Sequence, residues 1–95
     1  MKVKFNYKKK DYEFEIQEMS ALDFYNVMTK FKLGQIDFKA YAETIFVECV
    51  VKPVEARKVE YFENIPKIAD LLLNKCAQVS EVGLEENVKI EIIEE

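Results

Sequence analysis

The 95-residue sequence contains no histidine, no tryptophan and a single arginine. Histidine is the usual general base and zinc ligand near neutral pH, so its absence excludes catalysis by a Ser/His or Cys/His pair within this chain. With only two glycines, the chain also lacks a glycine-rich loop that could hold a phosphate group. We therefore predict no catalytic, cofactor-binding or metal-binding residues, and a protein that is not an enzyme.

Cysteine is scarce as well. Cys49 and Cys76 are far apart and have no CxxC spacing, which favours a reducing compartment over a disulfide-rich secreted protein. Each falls on the apolar face of a predicted helix, and free cysteine behaves as a small apolar residue. We expect both thiols to be buried.

Long hydrophobic runs are missing too. The longest uninterrupted apolar runs, such as residues 45–47 and 71–73, are far too short to span a bilayer. The N-terminal lysines are not followed by an apolar stretch, so no signal peptide is predicted. We expect a cytoplasmic protein that does not bind membranes.

Apolar and aromatic residues are plentiful, at 49% and 13% of the chain. A chain of this length fits one domain with one core, and we predict a single domain over residues 1–95. The net charge of −4 is unevenly spread, because residues 1–10 carry five lysines and no acid, whereas residues 81–95 carry six acids and one lysine. An acidic domain with one short basic segment is a poor match to a general nucleic-acid binder.

Residues 1–18 predict a β-hairpin, because apolar and polar residues alternate strictly in two segments. The apolar positions are Val3, Phe5, Tyr7, Tyr12, Phe14 and Ile16. With a turn over residues 8–11, Phe5 pairs with Phe14 and Lys4 lies opposite Glu15. This register satisfies the apolar face and the charges together.

Residues 20–83 predict three helices. The first begins at Ser20, whose hydroxyl can cap the first turn, and ends at Gly34, which can adopt the left-handed conformation of a helix end. The second has Asp37 as its cap and ends before Pro53, since proline disfavours helical geometry at the preceding residue.

The third helix opens at Pro66 and stops at Gly83, because proline is tolerated in a first turn and glycine is a common stop. Residues 54–63 fit neither period and are interpreted as a connector with one helical turn. Residues 84–95 are an acidic tail or a last strand that adds to the hairpin. The predicted fold class is α+β, with an N-terminal β-hairpin followed by three α-helices.

The second helix is apolar on more than one side. Its expected core face comprises Phe38, Tyr41, Ala42, Ile45, Phe46 and Cys49. On the other side Val47, Val50 and Val51 lie among polar residues, and with Val54 they form a candidate exposed patch for a protein partner. The alternative is that the connector or the third helix covers these valines, since a small domain must bury most of its apolar side chains.

The lysine-rich hairpin offers a different candidate function. Lysines beside aromatic rings are the mixture found in single-strand nucleic-acid grooves. Strand alternation places the rings and the lysines on opposite faces, however, so one groove cannot easily present both. A small nucleic-acid-binding or regulatory protein is the alternative function, and a small enzyme subunit with its chemistry on another chain is a third.

The order of the elements and the residues at their boundaries form a recognisable pattern. After the hairpin come Glu-Met-Ser-Ala-Leu-Asp at residues 18–23, Val-Val-Lys-Pro at residues 50–53, Phe62, and Ile-Pro at residues 65–66 before a leucine-rich helix. This pattern covers residues 1–80 and resembles the small tail assembly chaperones of long-tailed bacteriophages and their prophage versions.

The resemblance implies a non-enzymatic protein in the cytoplasm of the infected host cell. Such chaperones bind the long and partly apolar tape measure protein and keep it soluble while the tail tube assembles around it. The expected partners are the tape measure protein, the tail tube protein as a second candidate, and further copies of this chain. The family supplies no catalytic residues. Our candidate partner-binding residues, from the helix geometry, are Val47, Val50, Val51, Val54 and Phe62.

Overall fold

The computed structural model describes residues 1–82 and 90–92, and the side chains of residues 1–80. Its elements, in chain order, are strands β1 (Lys2–Tyr7) and β2 (Lys10–Ile16), helices α1 (Ala21–Lys32) and α2 (Phe38–Cys49), strand β3 (Val50–Lys52), helix α3 (Pro66–Val82) and strand β4 (Ile90–Ile92). Two 3₁₀ turns, Val54–Arg57 and Val59–Phe62, connect β3 to α3. The predicted α+β fold, a hairpin and three helices, is confirmed.

The four strands form one sheet in the order β3-β2-β1-β4. Strands β1 and β3 are antiparallel to β2, whereas β4 is parallel to β1. The C-terminal strand therefore does add to the hairpin. The predicted stop at Gly83 and the remainder of the predicted tail lie outside the described residues. None of the described helices is long and apolar enough to cross a membrane.

One face of the hairpin packs into the core and the other faces solvent. The buried side chains are the predicted ones, Val3, Phe5, Phe14 and Ile16, while Tyr7 and Tyr12 are half-buried against the same core. Lys2 and Glu13 lie exposed on the opposite face. The strict alternation of the sequence therefore predicted the correct face for each strand residue.

The predicted hairpin register is wrong by two residues. Phe5 lies opposite Tyr12, and Lys4 lies opposite Glu13. The turn consists of Lys8 and Lys9 alone, both with positive φ, 53° and 63°. A two-residue turn of this kind matches the right-handed twist of the strands, which favours it over a longer loop. Because the error is two residues, every side chain keeps its predicted face.

Lys9 should be replaceable by glycine with a gain in stability. The left-handed conformation is sterically unfavourable for a residue with a β-carbon, whereas glycine adopts it freely. We expect Lys9→Gly to raise the free energy of unfolding by about 0.5–1 kcal/mol in urea denaturation. Lys10→Gly is the matched control, since Lys10 belongs to β2 and glycine weakens a strand. Equal losses in both variants would contradict the two-residue turn.

The helix caps are those the sequence predicts. Ser20 Oγ accepts a hydrogen bond from the Asp23 amide at 3.5 Å, and Asp37 Oδ1 accepts one from the Ala40 amide at 2.8 Å. Gly34, just after α1, has a φ of 74°. These local signals determine where α1 and α2 begin and where α1 ends.

Strand β3 is an element that we did not predict. Helix α2 ends at Cys49, and Val50 continues as extended backbone that pairs with Ile16 of β2. The Arg57 Nε donates a hydrogen bond to the Val50 carbonyl oxygen at 2.8 Å, which ties the following 3₁₀ turn to this strand. Valine favours strands, but the pairing partner lies far away in the sequence and no local pattern reveals it.

A chain of phenylalanine rings connects the sheet to α2 through the core. Ring centroids lie 6.2 Å apart for Phe5 and Phe14, 6.1 Å for Phe14 and Phe62, and 5.3 Å for Phe62 and Phe46. Phe62 belongs to the second 3₁₀ turn. The connector between β3 and α3 thus contributes a central core residue and is positioned by it.

Candidate functional site

A groove runs between α2 and α3, and its volume is about 310 Å³. Helix α2 supplies Phe38, Lys39, Ala42 and Phe46, the second 3₁₀ turn supplies Val59 and Phe62, and α3 supplies Pro66, Ala69, Asp70 and Leu73. All but two of these residues are apolar. We refer to this feature as the α2–α3 groove.

Residue size along the helices explains why the two walls leave a groove. Phe38, Ala42 and Phe46 recur every four residues and so lie on one side of α2. The small Ala42 stands between two phenylalanines, and the small Ala69 lies on the α3 wall. Alanine at the middle of both walls leaves a concave space that larger side chains would fill.

The connector is held against α2 by a specific hydrogen bond. The backbone amide of Val59 donates to Glu43 Oε2 at 3.3 Å. Val59 is half-buried and Phe62 is fully packed in the core. The side of the groove formed by the second 3₁₀ turn is therefore fixed by packing and by a polar contact.

An aromatic cluster stands at one end of the groove. Phe31 at the end of α1 stacks on Tyr41 with ring centroids 4.8 Å apart, and Phe38 contacts both rings at 5.7 and 6.0 Å. Phe31 and Tyr41 are half-buried, whereas Phe38 is 54% exposed. Because Phe38 also lines the groove, the cluster and the groove form one continuous apolar surface.

Charged residues flank this apolar surface. On the α2 wall Lys39 Nζ lies 3.1 Å from Glu60 Oε2. Their hydrogen bond raises the pKa of Lys39 and lowers the pKa of Glu60. On the α3 wall Asp70 is exposed. The α2 side of the groove therefore carries an ion pair, and the α3 side carries an acidic side chain.

Only part of the predicted valine patch is exposed. Val47 is 55% exposed and Val54 is also exposed, while Val51 is half-buried in β3. Val50 is 1% exposed, so the expectation of an exposed side chain there is wrong. The reason is the early end of α2: Val50 is a strand residue facing the core, not a residue on the outer side of a helix. None of these four valines lines the α2–α3 groove.

The burial of Phe62 and of Phe38 is the reverse of what the sequence predicted, since Phe62 was a candidate partner-binding residue and Phe38 a candidate core residue. Phe62 is buried at 2% exposure, although it also borders the groove. Phe38 was expected in the core and is instead exposed. It is the first residue of α2, where the helix extends past the core, so helical periodicity alone overestimated its burial. The large-small-large spacing of Phe38, Ala42 and Phe46 is the signal that could have revealed the groove.

Three of the five hairpin lysines, Lys4, Lys8 and Lys10, make contacts within their own chain. Lys4 Nζ lies 3.4 Å from Asp11 Oδ2, and Asn6 Nδ2 donates to Asp11 Oδ1 at 2.7 Å. The hydrogen bond from Asn6, helped by the nearby Lys4 charge, lowers the pKa of Asp11. Lys8 and Lys10 lie over the rings of the neighbouring tyrosines. Aromatic rings and lysines therefore meet here at the turn, but Asp11 lies among them.

Both cysteines are buried and free, as predicted. Within residues 1–82 and 90–92, no group of three or more histidine, cysteine, aspartate or glutamate residues could hold a metal ion.

Comparisons with protein-family models, with curated proteins and with solved structures found no significant match to this chain.

Proposed function

We propose that this protein is a phage or prophage tail assembly chaperone that binds an apolar segment of the tape measure protein in the α2–α3 groove. The observation that supports this most is the continuous apolar surface from the half-exposed Phe38 into the groove. A non-enzymatic role in the host cytoplasm accords with a chain that has no histidine. Keeping a partner soluble requires apolar contact area and a charged border, and no bond-making groups.

The shape of the groove favours a helical segment as the occupant. An amphipathic helix binds in a groove through apolar residues spaced three or four apart, and both walls of this groove are themselves helices. Lys39 and Asp70 lie on opposite walls. Lys39 is already paired with Glu60, so a helix with a basic residue on the flank that faces Asp70 would bind in one orientation.

The energetic contribution of Phe38 is large enough to measure. Covering the exposed part of one phenylalanine is worth about 1–2 kcal/mol before association costs. Its loss would weaken partner binding about tenfold. The rest of the affinity would come from groove residues that are still partly exposed in the free chain, such as Val59, Pro66 and Ala69.

The test is co-expression of this chain with the tape measure protein of the same phage or prophage. We expect the wild-type chain to raise the soluble fraction of the tape measure protein severalfold. Phe38→Asp should abolish most of this gain while the chain itself stays folded, because a carboxylate is favoured in the first turn of a helix. Circular dichroism of the purified variant checks the fold.

Leu22→Asp is the matched control for Phe38→Asp. Leu22 is also an exposed apolar residue in the first turn of a helix, α1, but it does not line the groove. The control should solubilise the tape measure protein as well as the wild-type chain does. Unchanged solubility with the wild-type chain would refute the chaperone function, and equal losses in both variants would refute the groove as its site.

The nucleic-acid alternative stays a prediction without a specific observation in its favour. Asp11 pairs with Lys4 at the hairpin, and the outer face of the sheet alternates lysine with glutamate across β1 and β2. A salt titration separates the two functions. Binding to phosphates weakens steeply as salt rises, whereas binding in an apolar groove does not.

A further inference from the structure

Strand β2 is only partly covered on the side that faces β3. Strand β3 pairs with β2 at Glu15 and Ile16 alone. It ends at Lys52, and the following Pro53 has no amide hydrogen with which to continue the ladder. Strand β2 itself extends back to Lys10. Among the described residues, the first part of β2 therefore has no strand beside it on this side.

The hydrogen bonds of the hairpin show where the backbone groups of β2 point. The Met1 amino group donates to the Ile16 carbonyl oxygen, and the Ile16 amide donates to the Met1 carbonyl oxygen, both at 2.8 Å. Since bonded and non-bonded pairs alternate in an antiparallel ladder, the even-numbered residues of β2 direct their N–H and C=O groups toward β1. Asp11 and Glu13 direct theirs to the open side, where no other described residue bonds them. We call these four backbone groups the β2 edge.

Charge on the outer face of the sheet changes sign from one strand to the next. Glu15 lies between Lys2 of β1 and Lys52 of β3 in the register of the sheet. Glu13 has a lysine opposite it on β1, but that lysine is 3.4 Å from the Asp11 carboxylate instead. Among the described residues, the exposed Glu13 carboxylate therefore has no ion pair. A strand at the β2 edge would complete the pattern by placing a basic side chain beside Glu13.

Open space lies beside this part of the sheet. A depression with a volume of about 530 Å³ is lined by Glu13 and Phe14 of β2 and by Lys52 and Pro53 where β3 ends. The end of β3 therefore leaves room for a further extended chain next to β2.

We propose that the β2 edge binds an extended peptide segment of a partner protein, antiparallel to β2 and with a basic-apolar-basic sequence. The two basic residues lie opposite Asp11 and Glu13, and each exchanges two backbone hydrogen bonds with its partner. The apolar residue between them faces the same side of the sheet as Tyr12, which is half-buried against the core. Strand addition of this kind draws affinity from main-chain hydrogen bonds and specificity from alternate side chains. It is independent of the α2–α3 groove.

A second copy of this chain is a poor occupant of the edge. Any two-fold antiparallel pairing of two β2 edges sets Asp11 or Glu13 of one copy opposite Asp11 or Glu13 of the other. Like charges directly opposite each other are destabilising, and charged residues are a common protection against edge-to-edge association. The occupant must therefore supply the opposite charge.

Amide hydrogen exchange of the wild-type chain, measured by NMR, tests the proposal. The probe is an acetylated and amidated heptapeptide of alternating valine and lysine. In the free chain we expect slow exchange at Tyr12 and Phe14 and fast exchange at Asp11 and Glu13. A saturating concentration of the peptide should slow exchange at Asp11 and Glu13 at least about tenfold. No slowing, or slow exchange at both residues in the free chain because copies pair there, would overturn the proposal.

Modified peptides separate strand addition from simple charge attraction. N-methylation of the lysines removes the amide hydrogens that face β2 and should abolish binding. N-methylation of the valines alters amides that point away from β2 and should leave binding within about threefold. A peptide with glutamate in place of lysine should not bind. Equal binding of the lysine-methylated and unmodified peptides would overturn the proposal.

Glu13→Lys tests the charge at the edge. We expect it to weaken binding of the valine-lysine peptide about five- to tenfold, because a favourable cross-strand pair becomes a repulsive one. Glu63→Lys is the matched control, since it makes the same charge change at an exposed residue between the second 3₁₀ turn and α3. Equal losses in the two variants would contradict binding at the β2 edge. The exchange pattern of the wild-type chain decides the proposal even where a variant folds poorly.

Discussion

Val50→Asp is expected to remove most of the stability of this protein. Val50 is 1% exposed, and its backbone pairs with Ile16 while its carbonyl oxygen accepts from Arg57. A carboxylate at this position would be buried without a partner, which costs several kcal/mol beyond the lost apolar burial. We expect a loss of at least about 4 kcal/mol, measured by urea denaturation, from a domain whose total stability is about 5–10 kcal/mol.

Val47→Asp provides the matched control. Val47 lies three residues earlier in the same apolar stretch, but it is 55% exposed on the outer side of α2. We expect the control to lose less than about 1 kcal/mol, since substitutions on exposed surfaces rarely cost more. A folded Val50→Asp variant with near-native stability would contradict the end of α2 at Cys49 and restore Val50 to an exposed helix face.

Phe62→Ala is expected to have the second largest effect. The Phe62 ring packs against Phe14 of the sheet and Phe46 of α2, so its removal opens a cavity at the centre of the core. Replacing a buried phenylalanine by alanine typically costs about 3–5 kcal/mol. We expect a loss in that range by urea denaturation. The loss would also enlarge the α2–α3 groove, because Phe62 borders it.

Tyr61→Ala is the control for Phe62→Ala, because it removes an aromatic ring that is not packed in the core. Tyr61 adjoins Phe62 and contacts its ring edge-on, with centroids 5.0 Å apart, but it is an exposed residue. We expect this control to lose about 1 kcal/mol or less. Similar losses in the two variants would mean that the connector does not insert Phe62 into the core as the structure has it.

These two pairs of stability variants, at Val50 and Val47 and at Phe62 and Tyr61, also decide how a loss of partner binding should be interpreted. Variants at Val50 and Phe62 would lose binding because they unfold or deform the protein. Phe38→Asp would lose binding while the fold remains. Some of the candidate residues from the sequence are therefore core residues and others are exposed. Partner binding is best tested at residues that are both exposed and at the groove.

Local signals in the sequence predicted most of the elements. Ser20 and Asp37 cap helices by accepting hydrogen bonds from backbone amides three positions away, and Gly34 adopts a conformation that other residues avoid. The starts of the first two helices and the end of the first helix could therefore be predicted without tertiary information. Strand alternation likewise predicted which face of the hairpin is buried. The turn register was missed because two lysines are unusual residues for a turn with positive φ at both positions.

The candidate site was harder to predict because it depends on which face of α2 packs against which face of α3. The sequence indicated surplus apolar surface on the second helix and an interaction function. It did not indicate that α2 ends at Cys49, because β3 forms only by pairing with β2, about 35 residues earlier in the chain. The groove arises from Ala42 on one helix and Ala69 on another, and neither is distinctive until the two helices are packed together.

By itself the sequence determined the fold class, the helix caps and the buried face of the hairpin, since each depends on composition or on residues a few positions apart. The tertiary structure decided that Val50 is core, that Phe38 is exposed beside a groove, and that Cys49 contacts Ser80. Each of these outcomes depends on contacts between distant segments. Periodicity can assign a residue to a face, but only packing determines what covers that face.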